Sequence, residues 1–308
     1  MKKLIMAVIW CGFMLSFSAL ATSIDLYVSD PGPPGLKGKI LEFTSTGMQS
    51  TFASVANPFG VSPLGLAFNT TGDLFAANGD PQGKILELSA TPTGKRSIFA
   101  SGLSDPIGLA FNTAGDLFVS DLGSGRILQF TPAGIESTFA SGLDHPYGLA
   151  FDSFGNLFEA DLDSGNIYEF TASGTKSTFA TGLGFAGPAG LAFNSAGDLF
   201  VSDSGTILEF TPAGTKSVFA SGLPGPTVGL AFDTNGTLFA AAGTDIFQFT
   251  PTGVQSTFAT GLHGPQWLTF GPASFSVPDS GATLVLLVIS TCASLCVRKF
   301  GGRSVRTS

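Results

Sequence analysis

Two acidic residues and a histidine lie close together near the middle of the chain. Glu159 and Asp161 are separated by one residue, and His145 stands shortly before them in the run Asp144-His145-Pro146-Tyr147. If Glu159 and Asp161 belong to a β-strand, they point to one face, because successive side chains alternate. Such a pair beside an imidazole could hold Ca²⁺ or Zn²⁺, or act as a general acid–base pair. Ordinary surface polarity at a wet strand edge is the alternative.

A repeat of about forty residues must position this group, because it fills the chain on both sides. The repeat is marked by the element GLAF, with a variant, WLTF, in the last copy. The successive spacings of this element are 43, 40, 42, 39 and 38 residues. The six copies begin at Gly65, Gly108, Gly148, Gly190, Gly229 and Trp267.

Each unit contains four short runs rich in Phe, Leu, Ile and Val. In the second unit these runs are GLAF, DLFVSD, GRILQFT and ESTFASGL. Apolar runs of four to eight residues between turn signals are typical of β-strands. Gly115 precedes the second run, where a tight hairpin needs a positive φ, and Thr131-Pro132-Ala133-Gly134 has the composition of a type I turn.

Four strands per unit and a period near forty predict an all-β fold, a six-bladed β-propeller over residues 22–272. The N-terminal stretch supplies the second, third and fourth strands of one blade, and the C-terminal WLTF run supplies its first strand. Both ends of the domain therefore close the ring. Closure of this kind removes the free sheet edges that favour aggregation.

Acidic or amide side chains recur where the second strand of a blade ends. In a propeller these ends share one face, the usual ligand face, with the loops between blades. Glu159, Asp161, Asp203 and Asn78 are therefore candidate ligands for a divalent cation such as Ca²⁺, or for a glycan. Their repetition favours a structural role instead, in which each side chain accepts hydrogen bonds from its own turn. The residues at this position are Asp30, Asn78, Asp121, Asp161 and Asp203, with Ala242 in the remaining blade.

Residues 1–21 are predicted to be a signal peptide. Lys2 and Lys3 precede a long apolar run, and Ala19-Leu20-Ala21 has the small residues of a cleavage site. The mature chain is therefore expected to begin at Thr22, in an exported protein.

Residues 273–308 form a tail with three parts. A polar motif, Val277-Pro278-Asp279-Ser280-Gly281, precedes an uncharged apolar run at about 281–297, and a basic cluster follows. A helix over the apolar run measures about 25 Å, the lower limit for a transmembrane span. The basic residues predict that the end of the tail lies in the cytoplasm.

The order of these three parts resembles a VPDSG-CTERM sorting signal, a variant of the bacterial PEP-CTERM tail. The resemblance implies that an exosortase-type membrane enzyme processes the chain at the motif. It also implies delivery to the cell surface or to an exopolysaccharide matrix. A permanent single-pass membrane anchor is the alternative.

The charge and the cysteines limit the possible partners. Six of the 14 basic residues lie in the signal peptide and after the apolar run of the tail, whereas all 22 acidic residues lie between them, so the exported part retains 8 basic and 22 acidic residues, a net charge of −14. This charge repels nucleic acid and anionic lipid, and it is compatible with divalent cations, cationic partners or neutral glycans. All three cysteines also lie in the two ends, which excludes a disulfide in the propeller.

The repeats resemble those of the NHL family, and the closest match is the run Asp121-Leu122-Gly123-Ser124-Gly125-Arg126-Ile127. The blade count and repeat style also resemble the regucalcin and gluconolactonase group of six-bladed propellers. That resemblance implies a divalent metal held by Glu, Asn and Asp side chains. The repeat style is also similar to that of virginiamycin B lyases, which implies a catalytic histidine, a role open to His145 and His263.

Two features count against an enzyme: the blades are unusually alike, and the channel-lining strands repeat the same small apolar residues. We therefore expect a non-enzymatic binding or scaffold module with exopolysaccharide or surface proteins as partners. The alternative is a divalent-metal-dependent lactonase or hydrolase, with Glu159, Asp161 and His145 as candidate catalytic residues.

Overall fold

The chain folds into six four-stranded antiparallel sheets, which contain 24 β-strands in the described residues. The one helical element among them is a 3₁₀ turn, Leu122–Ser124. The predicted all-β propeller with four strands per blade is therefore confirmed. The predicted signal peptide and the C-terminal tail lie outside the described residues. The computed structural model describes residues 24–33, 37–55, 63–79, 82–89, 96–184 and 187–272.

The first three blades follow one another along the chain, and in each the strands run in sequence order from the channel outward. Blade 1 contains β4 (Pro63–Phe68), β5 (Leu74–Asn78), β6 (Lys84–Leu88) and β7 (Arg96–Ala100). Blade 2 contains β8 (Pro106–Phe111), β9 (Leu117–Asp121), β10 (Arg126–Phe130) and β11 (Glu136–Ser141). Blade 3 contains β12 (Pro146–Phe151), β13 (Leu157–Asp161), β14 (Asn166–Phe170) and β15 (Lys176–Ala180).

The last three blades complete the ring, and the sixth joins the two ends of the domain. Blade 4 contains β16 (Pro188–Phe193), β17 (Leu199–Asp203), β18 (Thr206–Phe210) and β19 (Lys216–Ala220). Blade 5 contains β20 (Thr227–Phe232), β21 (Leu238–Ala242), β22 (Asp245–Phe249) and β23 (Gln255–Ala259). Blade 6 contains β24 (Leu268–Pro272), β1 (Ile24–Asp30), β2 (Gly38–Phe43) and β3 (Gln49–Val55).

The ring closes as the sequence predicts. Strand β24 pairs antiparallel with β1, with Leu268 opposite Val28 and Pro272 opposite Ile24. Each inner strand contacts the inner strand of the next blade, and β24 contacts β4. No helix that could cross a membrane occurs among the described residues, and the apolar run at 281–297 lies outside them.

The predicted turns are also present. Gly115 has φ +86°, and Gly134 has φ +78° and donates its N–H to the Thr131 carbonyl at 2.8 Å. Such hairpins connect the strands at the face opposite the ends of the second strands. The loops between blades lie at the other end, where Pro146 of β12 pairs with Asp161 of β13.

The core lies between blades and is built from repeated aromatic contacts. Phe158 of blade 3 packs edge-on against Phe179 of its own outer strand, with ring centroids 5.1 Å apart, and against Phe193 of blade 4, at 5.0 Å. Edge-to-face pairs of this kind are favourable beyond the area that they bury. The same two contacts are made by Phe75, Phe118, Phe200 and Phe239, and by Tyr27 in blade 6.

The glycine of each GLAF element lets neighbouring inner strands approach closely. A Cβ atom on Gly148 would lie 2.0 Å from the Ala189 carbonyl oxygen, and one on Gly190 would lie 1.8 Å from that of Val228. No side chain fits at such a distance. The repeated glycine is therefore required by the packing of the ring.

Candidate functional site

The carboxylates at the ends of the second strands bind the backbone of nearby loops. In blades 2, 3 and 4 each accepts a hydrogen bond from the loop that leads into its own blade: Asp121 from Ser104 at 2.7 Å, Asp161 from Asp144 at 2.8 Å, and Asp203 from Gly184 at 2.8 Å. Asp30 accepts from Gly32 at 3.0 Å and His263 at 3.2 Å. The structural role predicted for this ring is therefore present, although most of the partners come from the preceding loop rather than from the residue's own turn.

An exposed cluster of two aspartates and one histidine lies at this face. The Nδ1 atom of His145 lies 2.7 Å from the Oδ2 atom of Asp163 and 3.6 Å from the Oδ1 atom of Asp144. In the described residues these three form one group whose ligand atoms all lie within 4.8 Å. His145 and Asp163 lie in two adjoining loops at this face, which brings their side chains together. Exposed clusters of this kind are also common on protein surfaces where no metal ion is bound.

Glu159 has a different environment from the one that the surface interpretation predicts. Its side chain is 0% exposed, and its carboxylate oxygens have no well-formed hydrogen bond, although the backbone of Tyr147 lies close enough to interact with them. The wet-edge explanation is therefore wrong. Because strand residues rise about 3.3 Å each, Glu159 lies about 7 Å deeper in the blade than Asp161, on the same strand face.

The surroundings of Glu159 are mostly apolar. In the sheet it lies between Leu149 of β12 and Tyr168 of β14. Burial raises the pKa of Glu159 well above its ordinary value, and the negative charge of Asp161 raises it further. Lys176 and the backbone of Tyr147 lower this pKa, but they do not offset the burial. The environment of Glu159 therefore favours the protonated form of its carboxyl group.

Two aromatic side chains fill the central channel. Tyr147 of blade 3 and Trp267, which immediately precedes β24 of blade 6, come from opposite sides of the ring, and their ring centroids lie 5.4 Å apart. Leu64, Ile107 and Val228 belong to the same apolar cluster. Burial raises the pKa of the Tyr147 hydroxyl, and the nearby charge of Asp105 adds to this shift. The channel is therefore closed by side chains at this level.

The structure brings only some of the predicted site residues together. Glu159 and Asp161 share a strand face, but neither joins Asp203 in a group of metal-ligand atoms within 4.8 Å among the described residues. Asn78 is buried in blade 1. His263 lies in blade 6, with its Nδ1 atom 3.6 Å from the Oδ2 atom of Asp30.

The channel-filling role of Tyr147 was not predicted. The sequence does carry a signal, because in blades 1 to 5 the residue before the GLAF glycine varies while the glycine itself does not. Blades 1, 2, 3, 4 and 5 have Leu64, Ile107, Tyr147, Ala189 and Val228 at this position. A variable position on a strand that lines a channel indicates which side chains enter it.

Comparison with known proteins supports the fold only. The chain matches no family profile and no curated protein. Among solved structures it is similar to a chain of a nidogen/laminin complex, with a TM-score of 0.69, 20% identity, and coverage of 80% of this chain and 98% of that one. A gluconolactonase from Xanthomonas campestris has a TM-score of 0.60 and 17% identity, with coverage of 70% of this chain and 86% of that one. Virginiamycin B lyase from Staphylococcus aureus has a TM-score of 0.57 and 17% identity, with coverage of 68% of this chain and 77% of that one. At such identities these likenesses show a shared propeller architecture.

Proposed function

We propose that this propeller is a non-catalytic binding module. The observation that carries the proposal is the closed channel, in which Tyr147 packs against Trp267 where a propeller would otherwise have space for a substrate. The carboxylates around the channel are also engaged by backbone N–H groups. A catalytic site needs convergent polar groups beside an open pocket, and among the described residues the aromatic rings of Tyr147 and Trp267 occupy this position instead.

The test is an assay for lactone hydrolysis with the purified protein, run with and without added Ca²⁺ or Zn²⁺. We expect no turnover above the uncatalysed rate. Tyr147→Ala serves as a second arm, because it opens the channel without removing any carboxylate. Turnover by the unmodified protein at enzyme-like rates, lost in Glu159→Gln, would refute the binding-module proposal.

A metal-dependent hydrolase is the second candidate, and Glu159 favours it. A buried carboxylate with no well-formed hydrogen bond is costly, and such groups are concentrated at functional sites. In this candidate Asp144, His145 and Asp163 would hold a divalent cation at the entrance, with Asp161 and Glu159 below. Elemental analysis tests it directly: one tightly bound metal ion per chain, lost on His145→Ala, is the result that the candidate requires.

The proposed setting is the cell surface. The signal-like residues 1–21 and the tail at 273–308 support export, followed by processing at Val277–Gly281 by an exosortase-type enzyme. The apolar run at 281–297 would hold the chain in the membrane, transiently or permanently. Mass spectrometry of the protein from a host with and without such an enzyme tests this. We expect a chain that begins at Thr22 and ends near the motif only when the enzyme is present.

A further inference from the structure

A groove between blades 3 and 4 opens on the face opposite the His145 loop. Its volume is about 580 Å³, within the range of small-molecule sites. The hairpin of residues 152–156 forms one wall, and the hairpin of residues 211–214 forms another. The groove is thus independent of the closed channel and of the carboxylates at the other end of the blades.

Phe154 makes this groove different from its counterparts. The side chain stands at the tip of the hairpin between β12 and β13 and is 87% exposed. The equivalent hairpin tips of blades 1, 2, 4 and 5 carry Thr71, Ala114, Ala196 and Asn235. Single exposed apolar residues are common on protein surfaces, so what distinguishes Phe154 is its position in the wall of the groove.

The floor and walls of the groove combine aromatic and polar groups. Phe158, Phe179 and Phe193 form the apolar floor. Glu169, Thr178 and Ser195 also line it, and they supply a carboxylate and two hydroxyls. The groove therefore offers an apolar face together with hydrogen-bond acceptors and donors.

The carboxylate of Glu169 is available for a ligand. In blade 4 the corresponding carboxylate, Glu209, accepts a hydrogen bond from Ser217 at 3.4 Å. In blade 3 the hydroxyl of Ser177 donates instead to the backbone oxygen of Glu169, also at 3.4 Å. Within the described part of the chain, no side chain donates to the Glu169 carboxylate. Because Glu169 lines the groove, its oxygens can accept hydrogen bonds from a ligand there.

We propose that this groove binds a sugar residue of a neutral polysaccharide, an assignment that rests on the proposed binding function and names its ligand. A pyranose ring has one apolar C–H face that can stack on Phe154, and hydroxyls at its edge that can donate to Glu169. The chain carries 22 acidic and 14 basic residues, so its field disfavours anionic polysaccharides. A neutral glycan satisfies both the shape and the charge of the groove.

The test is calorimetric titration of the full chain, in a detergent without a sugar headgroup, with three neutral probes: cellohexaose, xylohexaose and mannohexaose. Hexagalacturonate is the anionic control. We expect one neutral probe to bind with a Kd of about 1 mM or tighter and the anionic probe not to bind. Phe154→Ala should weaken that binding about tenfold, and Phe154→Trp should preserve it. Glu169→Gln should weaken it about threefold.

The variants are matched to the repeat itself, so they are expected to fold. Alanine is the residue of the equivalent tips in blades 2 and 4, and glutamine stands at the position of Glu169 in blades 2 and 5. Asn235→Ala changes the corresponding tip of blade 5 and should leave binding unchanged. Thermal unfolding of each variant, expected to match the unmodified protein, checks the fold.

Each other outcome overturns the assignment in a recognisable way. Binding that is unchanged in Phe154→Ala would place the sugar elsewhere and leave the binding-module proposal intact. Failure of every neutral probe to bind would remove the glycan assignment, and lactone turnover in the same sample would remove the binding-module proposal as well. A Phe154→Ala variant that changes the sedimentation coefficient but not sugar binding would identify a second copy of the chain as the occupant.

Discussion

Blades 3 and 4 are neighbours with the same strand order and the same register between paired strands, yet their side chains differ at positions that do not set the fold. Where blade 4 has Val201, blade 3 has the buried Glu159. Three other equivalent positions also differ. Blade 3 has Tyr147 in the channel, Tyr168 in the third strand and Phe154 at the hairpin tip, where blade 4 has Ala189, Leu208 and Ala196.

The comparison shows that one blade has diverged on a constant frame. The glycines of the inner strands, the aromatic contacts between blades and the hairpins between the first and second strands are kept in both blades. The connection between the second and third strands is shorter in blade 4 than in blade 3. The substitutions of blade 3 instead face the channel, the gap towards blade 2, and the opposite face of the ring. Because function needs a local departure from a repeat, blade 3 is where we place it.

The largest effect is expected from a change to the shared frame. Gly148→Ala and Gly190→Ala would each place a methyl group against a backbone carbonyl, at 2.0 Å and 1.8 Å respectively. Backbone oxygens cannot move away as a flexible side chain can. Each variant should therefore lose about 3 kcal/mol or more in the free energy of unfolding, measured by denaturant titration.

The control for this prediction is Gly155→Ala, in a hairpin where an added Cβ meets nothing within 4 Å. Its φ of +86° still strains an alanine, so a loss of about 1 kcal/mol is expected. A clear difference between the losses in Gly148→Ala and Gly190→Ala would show that the frame itself has diverged, and it would weaken the comparison.

The next largest effect concerns the buried carboxyl group. Glu159→Val gives blade 3 the residue of blade 4 and removes a buried carboxyl group that has no well-formed hydrogen bond. We expect the variant to be more stable than the unmodified protein by about 2 kcal/mol at pH 7. The reciprocal change, Val201→Glu, should destabilise by a similar amount. A destabilised Glu159→Val variant would mean that Glu159 has a partner that holds the blades together.

The pH dependence sharpens this prediction. The pKa of Glu159 is raised in the folded state, so the folded chain keeps the proton after the unfolded chain has lost it. This residue therefore lowers stability as the pH rises from about its ordinary carboxyl pKa of 4.5 towards the raised value. The melting temperature of Glu159→Gln should exceed that of the unmodified protein at pH 7, and the difference should disappear near pH 4. A difference that is constant with pH would contradict the assignment.

The frame was predictable from the sequence, whereas the environment of individual side chains was not. The GLAF spacing and the split sixth blade determine the strand count and the ring closure. Alternation correctly placed Glu159 and Asp161 on one face, but it does not reveal what lies across the gap between blades, so the burial of Glu159 was missed. Phe154 was missed because a single tip residue has no effect on the periodicity.

The smallest effect is expected where a hydroxyl connects two blades. Ser202 in blade 4 accepts a hydrogen bond from the Gly190 N–H at 2.7 Å and donates one to the Val228 oxygen of blade 5 at 3.1 Å. Blade 3 has Ala160 at the equivalent position. Ser202→Ala should therefore lower the free energy of unfolding by about 1 kcal/mol. Ala160→Ser, made separately in blade 3, should raise it by part of that amount. If Ala160→Ser is instead destabilising, then the gap between blades 3 and 4 has been reshaped along with the gap around Glu159, and the divergence of blade 3 extends to both of its neighbours.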